Sequence, residues 1–184
     1  MTTAAGKVRD YQIEEGEKIT PVMIYTQNQL ILGDVVTKEA VRVSTWLRSA
    51  AAPKYIFVRD AQILTFGGAA APKPQPFRAI LMPTRLVVAF HIKPPTHDPL
   101  DYDPTEANRK MDPTTALVGT FQFNGVIRMS TQTSLDKFLD VAKDAYTSMH
   151  EIEISNPMLP QMGVIKAPFA LLNNDLAMYS PRQV

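Results

Sequence analysis

Val43-Ser44-Thr45-Trp46-Leu47-Arg48-Ser49-Ala50 and Leu135-Asp136-Lys137-Phe138-Leu139-Asp140-Val141-Ala142 lie 92 residues apart and carry apolar side chains at the same four positions. Val43, Trp46, Leu47 and Ala50 follow the i, i+3, i+4, i+7 spacing of one helix face, and Leu135, Phe138, Leu139 and Ala142 repeat it. The spacing predicts a helix over residues 41–52, stopped by Pro53, and a second from Thr133 to Met149. At the same offset Pro21 falls on Pro113, Gly33 on Gly125 and Val35 on Ile127. Self-similarity at a fixed spacing points to a repeated unit.

Working outward, Val22-Met23-Ile24-Tyr25-Thr26 and Leu30-Ile31-Leu32-Gly33-Asp34-Val35-Val36 flank the polar Gln27-Asn28-Gln29 and read as a hairpin. After the first helix, Tyr55-Ile56-Phe57-Val58 and Ala61-Gln62-Ile63-Leu64-Thr65-Phe66 read as one long or bulged strand. Phe77 to Met82 and Leu86 to Ile92 then flank Pro83-Thr84-Arg85 as a second hairpin. Past the second helix the match shifts. Tyr55-Ile56-Phe57 falls on His150-Glu151-Ile152 at an offset of 95, and Leu81 to Leu86 falls on Leu171 to Leu176 at an offset of 90.

The expected fold class is therefore α+β: two pseudo-symmetric copies of a hairpin, helix, hairpin unit, packed about a pseudo-twofold axis. The expected divisions are a tail over 1–20, a first unit over 21–93, a Pro/Asp-rich linker over 94–112 and a second unit over 113–181. The order of short strands with a final tight hairpin resembles the small β-barrels of the Sm-like and SH3-like kind, and resembles tandem bacterial domains of unknown function. That resemblance implies barrel-like units. The helix between the second and third strands departs from the Sm-like order, in which the helix comes first.

Composition narrows the function classes. The chain has 184 residues, a net charge of +1 and no cysteine, which excludes disulfides and thiolate catalysis. No apolar run reaches the roughly 18 residues of a membrane-spanning helix. With no signal-like start, a cytoplasmic setting is expected. Charge is uneven: residues 21–93 carry nine bases against three acids, and residues 113–181 four against six. That asymmetry fits either an anionic partner on the first unit or complementarity between units or subunits. The candidate nucleic-acid or anion contacts are Arg42, Arg48, Lys54, Arg59, Arg78 and Arg85.

Carboxylates in the linker, Asp98, Asp101 and Asp103, are the donors a hard divalent cation would use, but they lack the glycine of a calcium-binding turn. His91, His97 and His150 stand at no ligand spacing from one another, and no serine has a nucleophile-elbow motif around it. No catalytic residue and no cofactor is assigned. The expected role is a non-enzymatic binding or assembly module, oligomeric through exposed strand edges. The alternatives are a nucleic-acid or anion binder through the basic first unit, and an enzyme with its site at the cleft between units.

Overall fold

The computed structural model describes residues 13–49, 52–68 and 72–182. Ten strands form one antiparallel sheet: β1 (Glu17–Tyr25), β2 (Gln29–Lys38), β3 (Tyr55–Thr65), β4 (Gln75–Pro83), β5 (Ala89–Ile92), β6 (Arg109–Val118), β7 (Phe121–Ser130), β8 (Tyr146–Ser155), β9 (Ile165–Asn173) and β10 (Met178–Pro181). Their spatial order is β10-β6-β7-β8-β9-β5-β1-β2-β3-β4. Among the described residues a single seven-residue helix, α1 (Leu135–Val141), accompanies three short 3-10 turns.

The α+β expectation is thus overturned: the fold is all-β. The first predicted helix is a 3-10 turn over Val43–Arg48, with Ala50 outside the described residues. Its few residues include β-branched Val43 and Thr45, and a segment that short cannot offset the cost of helix nucleation. The second is cut to α1, because Tyr146 onward is claimed by the sheet through its pairing with β9. The apolar stripe is nonetheless used as expected. Val43, Leu47 and Leu135 are buried, while Trp46, Phe138 and Leu139 pack against the core.

The second hairpin of each unit is also corrected. A 3-10 turn at Thr84–Leu86 redirects the chain so that β5 leaves β4 and pairs with β1. In the other half β10 leaves β9 and pairs with β6. The same pairing scheme therefore occurs twice, β5-β1-β2-β3-β4 and β10-β6-β7-β8-β9. The registers agree in detail. Pro21 faces Asp34 as Pro113 faces Val126, and Tyr55 faces Pro83 as Tyr146 faces Asn173. Tyr55 thus corresponds to Tyr146, an offset of 91 in place of the expected 95.

So little helix leaves a flat sheet's apolar face uncovered, and the sheet must curl over itself. The device that bends it is present in both halves. Asp60 and Ala61 of β3 oppose the single residue Gly33, and Glu151 and Ile152 of β8 oppose Gly125. The first residue of each extra pair has positive φ, 45° at Asp60 and 51° at Glu151. Such bulges bend a strand and increase its twist. Inside the bend β7 alternates without a break, with Phe121, Phe123, Ile127 and Met129 inward. Two buried clusters result. The larger is built on the second half but includes Met23, Tyr25 and Leu30; the other is built on the first half but includes Tyr146 and Leu171. β1 begins at Glu17 and β6 at Arg109, so the expected tail and linker each surrender four residues to strands.

A Cβ on Gly33 would lie 2.7 Å from the Arg59 carbonyl oxygen, and one on Gly125 would lie 2.5 Å from that of His150. Neither backbone can yield without breaking the ladder. Gly33→Ala and Gly125→Ala are each expected to cost about 1–3 kcal/mol in denaturant unfolding, whereas Gly68→Ala, with open space around it, should cost far less.

Candidate functional site

The halves meet along β5 and β9, with Ala89 facing Leu172 and Phe90 facing Leu171. This joint pairs the fifth strand of one half with the fourth strand of the other. The expected pseudo-twofold packing would pair like with like, so the contact is head-to-tail instead. The backbone N–H of Asn173 donates to the Val88 carbonyl at 2.8 Å, and its side-chain amide donates to that of Val87. Beneath the joint Tyr25 packs edge-on against Phe121 and Phe123, with ring centroids 4.8 and 5.0 Å away. Its hydroxyl lies 3.0 Å from His91 Nε2, while His91 Nδ1 lies 2.8 Å from the Ile92 carbonyl. A carbonyl can only accept, so Nδ1 carries the proton and Nε2 accepts from the tyrosine. Both ring nitrogens of a neutral histidine are thereby satisfied.

The linker is strapped down. The Asp98 carboxylate accepts from the backbone N–H and hydroxyl of Ser44, and Arg42 donates to the carbonyls of Pro99 and Leu100. Asp101 enters the gap between the halves, where Arg48 meets it at 2.9 Å and the Ser148 hydroxyl donates to it. His150 Nε2 lies 3.6 Å from the other carboxylate oxygen. Tyr102 stands edge-on to His150 and beneath the Arg128 guanidinium, 4.8 Å from each. Glu106 pairs with both Arg109 and Arg128. Burial holds His150 below the usual histidine pKa, with the Asp101 charge opposing that shift, so the ring is neutral near pH 7. Around these groups opens a cleft of about 550 Å³, bounded by Arg48, the linker and the second half.

The sequence-predicted residues scatter. Arg42 and Arg48 hold the linker; Arg59 is on β3, Arg78 on β4, Arg85 on the 3-10 turn and Lys54 just before β3. Arg59 and Arg78 point to opposite faces, because Arg59 faces Ala79 and successive side chains alternate. The six form no single basic surface. Asp98, Asp101 and Asp103 are likewise separated by their partners, Ser44, Arg48 with Ser148, and Thr105. Among the described residues no three metal-type ligands converge. Ser148, Asp101 and His150 meet in the wrong order for nucleophilic catalysis, since the carboxylate stands between the serine and the histidine that would have to act as its base. Arg109, Arg128 and Lys143 were not singled out in the sequence, and nothing in their spacing marks them.

Among the described residues no helix is long and apolar enough to cross a membrane. No family model matches the chain, and no curated protein or solved structure is significantly similar to it.

Burial lowers the His91 pKa from 6.5 to about 4. As pH falls below 6.5 the unfolded chain takes up a proton that the folded ring refuses, so stability declines down to the folded value and is unaffected above 6.5. The expected loss is about 3 kcal/mol between pH 6.5 and 4. His91→Gln should remove that part of the slope when unfolding is followed in denaturant across the range.

Proposed function

We propose that the chain is a non-enzymatic assembly module whose copies join head to tail, working in the cytoplasm. Its two halves are read as divergent duplicates of one five-strand, small-barrel-like unit. The observation that carries the reading is the β5·β9 joint itself. That joint uses one fifth strand and one fourth strand, and the sheet ends on the other two, β10 and β4.

The free edges have the apolar character of the joint without its cover. Leu171, fully buried in the joint, corresponds to Leu81, which is 67% exposed; Ala89, also fully buried, corresponds to Met178, 63% exposed. A second copy docked in the same register would set Met178 of one chain opposite Met82 of the next, and Tyr179 opposite Leu81. Exposed apolar edges of this kind are otherwise a liability that folds suppress.

One difference sets the strength. Pro83 stands where Asn173 donates its N–H, so the contact between chains lacks that hydrogen bond, a loss of about 1 kcal/mol. Assembly is therefore concentration-dependent and weaker than the joint within the chain.

Light scattering across rising concentration should show multiples of the 20.5 kDa chain. Leu81→Lys and Met178→Lys should each abolish higher assemblies. Mixed together, they should form one-to-one dimers, because one variant keeps an intact β10 and the other an intact β4. A wild-type chain that stays monomeric, or a mixture that does, would overturn the reading.

A further inference from the structure

The linker does not fill the cleft between the halves. Its floor shows what chemistry it accepts: it already holds a carboxylate, Asp101, on Arg48 and Ser148, and an aromatic ring, Tyr102, beneath Arg128. The floor is also incompletely bonded. Asp101 Oδ1 and His150 Nδ1 are buried without a hydrogen-bond partner, a state that folded proteins rarely leave unused.

Charge in the rest of the cleft is not balanced. Arg48, Arg109, Arg128 and Lys143 line it, and the carboxylates that meet them are Asp101, Asp144 and Glu106. With His150 neutral, four cations face three anions. The uncompensated one is Lys143, which is exposed and has no ion pair among the described residues. Beside it the wall is apolar. Val141 is 71% exposed, and Phe138, Met129 and Ala142 continue the surface inward. A solvated strap around a linker would need neither a surplus cation nor an open aliphatic wall.

We infer that this cleft is a binding site for a small anion with an apolar body, a carboxylate or a phosphate monoester. The anionic group is received at Lys143 and Arg109, and the body lies against Val141 and Phe138. Pockets of this kind combine an apolar lining with a few placed charges, and an arginine beside an ammonium suits either oxyanion. The site is independent of the strand edges and does not rest on head-to-tail assembly.

The test is calorimetric titration of the full chain with four probes: hexanoate, phenyl phosphate, inorganic phosphate and hexanol. Saturable millimolar or tighter binding is expected for hexanoate, phenyl phosphate or both, and which of them binds distinguishes carboxylate from phosphate ester. Inorganic phosphate lacks the body and hexanol the charge, so each should bind at least about tenfold more weakly. Lys143→Glu and Val141→Asn alter exposed side chains and should leave the unfolding temperature nearly unchanged, while each weakens the tighter probe by about tenfold. Failure of both amphipathic anions to bind, equal binding of hexanol, or binding indifferent to both substitutions would overturn the assignment.

Discussion

Two neighbouring backbones pressed together at Gly33 and Gly125 are the constraint on which the rest of the fold depends. Among the described residues a sheet of ten strands is accompanied by one short helix, which gives no second layer to cover its apolar face. It can bury Val22, Ile24, Phe121 and Phe123 only by curling, and it curls where one strand carries an extra residue against a position with no side chain. A Cβ at either glycine would strike a carbonyl of the bulged strand. The same bend brings the fifth strand of each half alongside the first, which removes it from the fourth and leaves the fourth as an edge. The hairpin expected after each helix is lost for this reason, and the edges by which the halves meet are created by it.

The bend also produces a joint that shares its core. Tyr25 belongs by sequence to the first half, yet its ring is packed by Phe121 and Phe123 of the second; Tyr146 and Leu171 make the reverse crossing. The neutral His91 beneath the joint is held in one tautomer by a carbonyl on one side and a phenol on the other. Separating the halves would expose these side chains and leave that hydrogen-bonded pair to water, so the two halves behave as one body, unlike beads on a tether.

Much of this was legible in the sequence where the signal is local. The recurrence of Pro21 and Gly33 at Pro113 and Gly125, the first three positions of each apolar stripe and the bulged strand from Tyr55 are all present. Helix length was not legible, because the stripe marks which face is buried and says nothing of competition from the sheet at Tyr146. Strand partnership was not legible either, since a continuous apolar run such as Leu86 to Phe90 fits equally well beside β4 or beside β1. Arg48 and Asp101 were assigned to opposite chemistries, an anionic partner and a cation, and prove to be each other's partners. Ion pairs across 53 residues leave no spacing to read.

The charge asymmetry finds part of its explanation in the same connectivity. The linker must cross from the end of β5 to the start of β6, passing the 3-10 turn and its preceding Arg42, and on the way Arg42 takes its backbone carbonyls while Arg48 pairs with its Asp101. A head-to-tail joint also imposes a consequence that a twofold joint would not. In an open row of five-strand units joined through a fifth and a fourth strand, one of each remains at the ends, and those two ends are complementary; only closure into a ring would satisfy both. Prolines at 76, 83 and 181 remove donors from those ends, and Arg78 adds a charge to one of them. Such features weaken edge pairing while leaving the middle of each strand able to pair, as the reversible association proposed above requires.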